Sequence, residues 1–426
     1  MKKNVSFLSS LYLLLVIILL AACNGTSNKN AKYGDATKEL IQMVDNNPEI
    51  KSMLISSLEK ARQINPDKTT NPAQNLEEYY DFVSYCETAM PWTLQRKPNY
   101  SEIFNNTFQS LCYFYFLIDQ PLQELKGKGN FNNTLQYSEL FGSWLITFSK
   151  SWGRYLDTED SWNEEYYQMV LNDPAFGLQR GWYEDPSNWT TYNEFFARYL
   201  SSPEARPIAS PEDNSVVVSF ADSEPKGVWV IDSNSNIVSN EEGLPVKSAT
   251  LRSIVELIGE DSKYKDAFNN GTFTHSFLNV NDYHRYHFPL GGTIKEARII
   301  QGINPTGGSL SWDEMNNRYA FDPSSIGWQT IETRGCVILE TEDYGLVALL
   351  PIGMAAVGSV NFEETVKVGT EVKKGDMLGY FLFGGSDFIM VFQDNVNFTL
   401  DAPKQDDGKS YKHLLMGERL GFLTKK

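Results

Sequence analysis

The chain has 426 residues, 41% of them hydrophobic and 21% charged, a globular balance that excludes a mostly disordered or multi-span membrane protein. Its 37 Lys and Arg face 54 Asp and Glu, a net charge of −17, so no nucleic-acid partner held by phosphate neutralisation is expected. Four Cys and four His are too few, and lack the repeating pairs, to supply a zinc module, and no metal is expected.

At this length more than one domain is expected. Lys2 and Lys3 precede an apolar run, Leu11 to Leu20, which ends in Leu20-Ala21-Ala22-Cys23. A charged start, an apolar stretch too short to span comfortably and a small-residue cleavage site define an export signal, and the series resembles a bacterial lipoprotein signal. That resemblance implies residues 1–22 as the signal, lipidation of Cys23 and an extracytoplasmic, membrane-anchored lipoprotein, because more than one acyl chain holds a protein stably at a bilayer. Removal of Lys2 and Lys3 leaves 35 basic against 54 acidic residues, a net of −19. Residues 23–34 read as a polar tether.

Residues 35–200 show helical periodicity. Leu54 and Leu58, Phe104 and Phe108, and Leu140, Trp144 and Phe148 recur at i, i+4 and mark apolar faces. Ser161 followed by Glu164 reads as a capping box. The run Leu111 to Ile118 is too short to cross a bilayer and reads as a buried helix. Cys86, Cys112 and Cys336 read as buried thiols rather than disulfide partners.

Beyond Pro207 the pattern becomes short β-rich runs, such as Val216-Val217-Val218 and Val228-Trp229-Val230-Ile231, with one helical insert at Ala249 to Ile258. Val366 to Asp376 places Gly369 and Gly375 at turns between strands, a spacing similar to that of barrel-sandwich domains, though no lysine sits where a swinging-arm carrier needs one. The expected class is α+β: a helical N-terminal domain over residues 35–200, then a β-rich domain over residues 201–426 with barrel-sandwich-like C-terminal strands.

Three of the four histidines crowd into His275 to His287, within which Asp282-Tyr283-His284-Arg285-Tyr286-His287-Phe288-Pro289 is the sharpest local signal. A second is Phe383-Gly384-Gly385-Ser386-Asp387-Phe388, where two glycines permit a tight turn before a serine at the edge of an apolar strand. Each alone is compatible with a structural role.

Together they resemble the phosphatidylserine decarboxylase family, with its DYHRxH segment and its C-terminal GGST-type self-cleavage site. The similarity runs in order from Trp189 to Phe392. It includes Asn193-Glu194-Phe195-Phe196-Ala197-Arg198, Ala205-Arg206-Pro207-Ile208, and Val217-Val218-Ser219-Phe220-Ala221-Asp222, where Phe220 and Ser223 replace the usual Pro and Gly. The resemblance implies a self-processing carboxy-lyase in which Asp222, His287 and Ser386 act as orienting carboxylate, base and nucleophile. It implies a cut between Gly385 and Ser386, a pyruvoyl cofactor made from Ser386, lasting association of the two fragments, and a role for His284 in turnover. Such a carbonyl condenses with an amine and takes up the electron pair released as carbon dioxide leaves.

Asp213 and Asp232 are alternatives to Asp222. Tyr283 and Arg285 read as catalytic or scaffold, Asp282 as a brace for His284, and His275 and His413 as structural or surface residues. Asp387 departs from the family's Thr or Ser: a carboxylate there could position the elimination or repel the developing oxyanion, which is normally stabilised by donors. The expected substrate is a free L-amino acid, with an aromatic one in view because the helical extension resembles that of a subgroup containing aromatic amino-acid decarboxylases. Phosphatidylserine converted to phosphatidylethanolamine is the other candidate. A reading of a different class is a non-catalytic lipoprotein scaffold on a decayed decarboxylase fold.

Overall fold

The computed structural model describes residues 31–95, 102–128, 132–238, 253–304, 309–322, 330–354 and 359–426. Cys23, the signal and the first part of the tether lie outside the described residues. The helices are α1 (Asp35–Asn46), α2 (Pro48–Ile64), α3 (Leu76–Cys86), α4 (Ile103–Phe116), α5 (Glu139–Leu156), α6 (Glu164–Asn172), α7 (Tyr192–Phe196) and α8 (Ile254–Ile258).

Their ends follow local chemistry. The Asn47 side chain accepts from the Ile50 amide at 3.2 Å with Pro48 at the first helical position, and Asn75 caps α3 in the same way at 3.0 Å, each satisfying an otherwise unpaired amide. The expected capping box at Ser161 is not formed. Asn163 caps α6, while the Ser161 hydroxyl bonds to the Leu156 carbonyl and accepts from the Tyr192 amide. The capping box in this region is Thr191 with Glu194, opening α7.

Leu54 and Leu58 are buried, and the run Leu111 to Ile118 closes α4 within the core. The face of α5 is shifted from the expected one. Leu140 is 44% exposed, and Phe141, Trp144, Leu145, Phe148 and Trp152 make the buried stripe. A stripe wider than one i, i+4 row is what a helix packed on several neighbours presents.

The strands are β1 (Val216–Val218), β2 (Glu224–Ile231), β3 (Ile237–Val238), β4 (Thr272–Leu278), β5 (Arg285–His287), β6 (Gly292–Ile300), β7 (Ser309–Asp313) and β8 (Arg318–Asp322). They continue as β9 (Thr333–Thr341), β10 (Gly345–Met354), β11 (Val360–Phe362), β12 (Glu371–Val372), β13 (Met377–Phe381), β14 (Gly385–Phe392), β15 (Val396–Leu400) and β16 (Arg419–Lys425). The fold is α+β, as the patterning indicates.

The main sheet has eight antiparallel strands in the order β12-β6-β9-β10-β14-β4-β2-β3. Smaller sheets order β11-β13-β5 and β1-β16-β15. Among the described residues no sheet closes on itself. Gly369 and Gly375 both have φ of 90°, a conformation that glycine adopts without steric cost, as the turn reading requires.

Strand β14 lies at the centre of the main sheet, and both of its faces are covered. Phe388, Met390 and Phe392 join one apolar cluster, with Phe220, Leu278 and Tyr286. Ile389 and Val391 join a second, with Ile254, Phe273 and Ile338. Burial on both faces explains the continuous apolar run that the strand shows in place of alternation.

The halves interpenetrate. The β7–β8 hairpin inserts Tyr319, 1% exposed, among the helices. Its ring packs edge-on against Tyr113 at 5.2 Å, its hydroxyl donates to the Thr70 carbonyl at 2.9 Å, and its backbone exchanges two 2.8 Å bonds with the Gln109 side chain. Cys86, Cys112 and Cys336 are buried, and burial pushes the Cys336 thiol up to about 12.

Candidate active site

Ser386 is the second residue of β14, opposite Gly353 of β10 and Leu278 of β4. It is fully buried, and its hydroxyl has no hydrogen-bond partner. Tyr79, Tyr80, Ser110 and Tyr115 also leave buried hydroxyls without a partner, so what sets Ser386 apart is its place directly after Gly384 and Gly385, not the missing bond alone. Gly385 opens the strand opposite Met354, and Gly384 before it has φ of 153°, where a side chain is disfavoured. Successive strand residues point to opposite faces. Ser386 therefore shares the face of Phe388, and Asp387 points away from it, onto the face of Ile389.

The histidines arrive on β5 and the turn before it. The His287 Nδ1 faces the Gly375 carbonyl at 2.8 Å, and since a carbonyl only accepts, that nitrogen carries the proton. Its Nε2 lone pair accepts from the Tyr283 hydroxyl at 3.1 Å. The same logic holds for His284, whose Nδ1 donates to the Asp282 carbonyl at 2.9 Å. Its Nε2 is buried without a partner, and its ring stacks on Phe196 at 3.8 Å.

Burial, which disfavours the charged form, lowers His287 to about 4. Burial and then the nearby Arg198 charge lower His284 to about 3. At neutral pH both are uncharged imidazoles with an Nε2 lone pair, the form a general base requires.

Asp222 is held elsewhere. Its carboxylate takes a bidentate pair of bonds from Arg206, at 2.9 and 2.6 Å, and a third from the Met416 amide at 2.8 Å. The guanidinium lies over Trp182 at 4.1 Å. Asp222, His287 and Ser386 are thus not joined by hydrogen bonds in this structure, although their segments are contiguous. The His287 amide donates to the Phe220 carbonyl at 2.7 Å, and the Phe220 ring stacks at 3.8 Å on Phe388, two residues beyond Ser386 on the same face. The Asp222 charge still acts on His287 as a smaller, opposing influence on its proton affinity. Asp213 and Asp232 cap their own turns, at Ser215 and at Asn234.

Other residues are placed plainly. The carbonyl of Asp282, not its carboxylate, braces His284; the carboxylate pairs with His413 at 3.0 Å and accepts from the Asn279 amide. Arg285 bonds to the Ala197 carbonyl and pairs with Glu363 at 2.9 Å, spanning the two halves as scaffold. His275 pairs with Asp387 at 2.6 Å. Sequence reasoning left Arg206 and Arg198 without roles. Arg198 is fully buried and holds the carbonyls of Asn281 and Asp282 at 3.1 and 3.2 Å. For Arg198 the available signal was its position in the aromatic run Phe195-Phe196-Ala197-Arg198-Tyr199, where an arginine must find partners; Arg206 carried no such local signal.

A cavity of about 200 Å³ opens beside this cluster, lined by Arg180, Trp182, Tyr183, Asp222, Asp282 and His413 among others. Tyr183 packs against Tyr283 at 6.3 Å and Tyr283 against His287 at 5.8 Å, so the cavity is separated from His287 by two tyrosine rings. Its aromatic wall comes from the loop before α7, in the helical half.

The geometry defines a buried serine on the central sheet and two neutral imidazoles on the segment whose backbone bonds to Phe220, the ring that stacks beyond the serine. The family model for phosphatidylserine decarboxylase matches residues 192–422. The chain is 34% identical over 245 residues to phosphatidylserine decarboxylase proenzyme 2 of Oryza sativa subsp. japonica, covering 57% of this chain and 36% of that protein. It is 30% identical over 283 residues to decarboxylase iboD of Amanita muscaria, covering 59% and 77%. It is 29% identical over 312 residues to the phosphatidylserine decarboxylase proenzyme of Clostridium botulinum strain Kyoto, covering 71% and 96%. The chain thus spans about a third of the rice relative and nearly all of the clostridial one. It belongs to the phosphatidylserine decarboxylase family of self-processing, pyruvoyl-dependent carboxy-lyases.

Proposed function

We propose that this chain cuts itself between Gly385 and Ser386 and then removes the α-carboxylate of a free L-amino acid admitted through the cavity beside Trp182 and Tyr183. The observation that carries the first part is the fully buried, unpartnered Ser386 hydroxyl on the face of β14 that also carries Phe388. In this reading His287 releases Tyr283, and its Nε2 takes the Ser386 proton while the oxygen attacks the Gly385 carbonyl carbon. The amide C–N bond breaks as the ester C–O bond forms, and the nitrogen gains a proton. Loss of the Ser386 α-proton then expels the Gly385 carboxylate and leaves a dehydroalanine, whose imine tautomer is hydrolysed with release of ammonia.

The site fits the resulting pyruvoyl group, because residue 386 is preceded by two glycines, lies opposite Gly353 and is closed off from bulk water. When present, that carbonyl condenses with an amine and accepts the electron pair of decarboxylation. His284, with its unpartnered Nε2, is the group assigned to hold or return a proton at the substrate carbon. Arg180 at the cavity offers a charge for the substrate's carboxylate.

A free amino acid is favoured by a cavity of about 200 Å³ and by a chain charge of −17, which opposes an anionic lipid surface. Phe176, Trp182 and Tyr183 in the wall suit an aromatic side chain. Phosphatidylserine is the second reading, favoured by the names of the rice and clostridial relatives; the Amanita relative is named only as a decarboxylase. Export and acylation at Cys23 belong to the same proposal and are tested by lipid labelling of a Cys23→Ser variant.

The deciding experiment pairs denaturing electrophoresis and fragment mass with carbon dioxide release from a panel of L-amino acids and phosphatidylserine vesicles. Ser386→Ala is expected to stay full-length and inactive, and His284→Ala to cleave but turn over poorly. Wild-type protein that remains intact, with no pyruvoyl mass at residue 386, overturns the enzymatic reading in favour of a non-catalytic scaffold.

A further inference from the structure

The mechanism above uses one face of β14, while its other face carries a buried histidine–aspartate pair with no assigned role. His275 Nε2 and Asp387 Oδ2 lie 2.6 Å apart, and both side chains are completely buried. In the β4–β14 register Asp387 stands opposite Phe277 and His275 opposite Ile389, so the pair is a diagonal cross-strand contact. It sits one residue past the scissile bond and, by strand alternation, cannot touch the Ser386 hydroxyl. The remaining Asp387 oxygen has no hydrogen-bond partner, and Glu332, also fully buried, stands near enough for its ionisation to be opposed by the Asp387 charge after burial itself.

What such a pair supplies follows from the rest of the strand. Phe388-Ile389-Met390-Val391-Phe392 is apolar at every position and packed on both faces. Packing on both faces opposes a slip through the misfit of one apolar side chain in another's place, but no side chain from Phe388 to Phe392 makes a polar contact that names a single partner. A slip of two residues would displace residue 386 by about 7 Å. Before cleavage the covalent chain through Gly385 prevents this. After cleavage residue 386 becomes a chain terminus, and strand ends open at little cost. Asp387 is then the first side chain of the new fragment that recognises one partner only, since any shift strands a buried carboxylate away from His275.

We propose that the Asp387–His275 pair is a positioning device that locks the register of β14 after self-cleavage, holding residue 386 at the site. The proposal rests on the reading that the chain is cut before Ser386. Neither residue takes part in the chemistry.

The test uses His275→Phe/Asp387→Leu, which replaces the buried pair with apolar side chains and so spares the fold. It is compared with wild type by thermal midpoint, by C-terminal fragment mass, by capture of the carbonyl with phenylhydrazine, and by amide exchange across residues 386–392. Expected are an unchanged or higher midpoint and an intact cut, with capture and amide exchange both about ten-fold faster. Turnover should fall on the order of a hundred-fold at nearly constant KM, as for a reacting group displaced from its place.

Should that variant fail to accumulate as folded protein, His275→Gln, which retains a hydrogen-bonding amide, decides by the same readouts. Capture and amide exchange close to wild type in the double variant, or faster capture without faster amide exchange, overturn the lock. Wild-type protein that is not cut before residue 386 overturns the underlying reading instead, and the proposal with it.

Discussion

The bidentate pair between Arg206 and Asp222 is the most consequential single contact near the site, and Arg206→Met tests it. Arg206 is 1% and Asp222 3% exposed, and the pair closes at 2.9 and 2.6 Å. Methionine keeps an extended apolar stem over Trp182 but removes the charge. Only the Met416 amide then holds a carboxylate that remains out of water. Breaking a buried pair from one side costs about 3–5 kcal/mol. Against a typical total of about 5–15 kcal/mol, that is a large share.

The assay is urea unfolding of the Ser386→Ala precursor, a single uncut chain, with and without Arg206→Met, alongside the half-time of self-cleavage in the otherwise native chain. Adding Asp222→Asn to Arg206→Met removes the orphaned charge and should recover most of the stability without recovering cleavage. A loss under about 1 kcal/mol in the single variant refutes the argument, because it would mean that the pair behaves as a surface contact.

The remaining expectations concern acid, the helical interface and His287. His284 and His287 are lowered in the fold to about 3 and about 4, below the ordinary value near 6.5. The unfolded chain therefore binds more protons between those limits, and stability conferred by the two neutral rings is complete above pH 6.5 and lost as pH falls toward 4. Replacing His284 by Gln should reduce the slope of stability against pH in that window by about 1.4 kcal/mol per unit, and an unchanged slope contradicts the burial of a neutral ring. Tyr319→Ala should cost about 3–5 kcal/mol by emptying the site where the β7–β8 hairpin enters the helices, measured by denaturation; a cost below 1 kcal/mol would show the halves to be energetically independent. Tyr283→Phe frees the His287 Nε2, and self-cleavage is expected to run as fast as in wild type or faster. A block to cleavage would instead make the tyrosine hydroxyl part of the proton path.

Much of the chemistry was written locally. The segment from Asp282 to His287 and the run Gly384-Gly385-Ser386 are contiguous, so the candidate nucleophile and bases are legible from neighbouring residues alone. The helices of the first half and the strands of the second were equally visible, because 3.6-residue and two-residue periodicities arise within one element. Local reading failed where two signals competed within a few residues, as at Ser161, whose hydroxyl was taken by the Tyr192 amide while Asn163 capped the helix.

Partnership is another matter. Which carboxylate faces which cation, that Asp222 bonds to Arg206 rather than to His287, that Asp387 turns away from Ser386 to meet His275 across 112 residues of chain, and that Tyr319 enters the helical core are decided by strand register and by the docking of the halves. These depend on contacts between distant segments, and no short stretch of residues carries that information, because each pairing exists only once the intervening chain has folded around it.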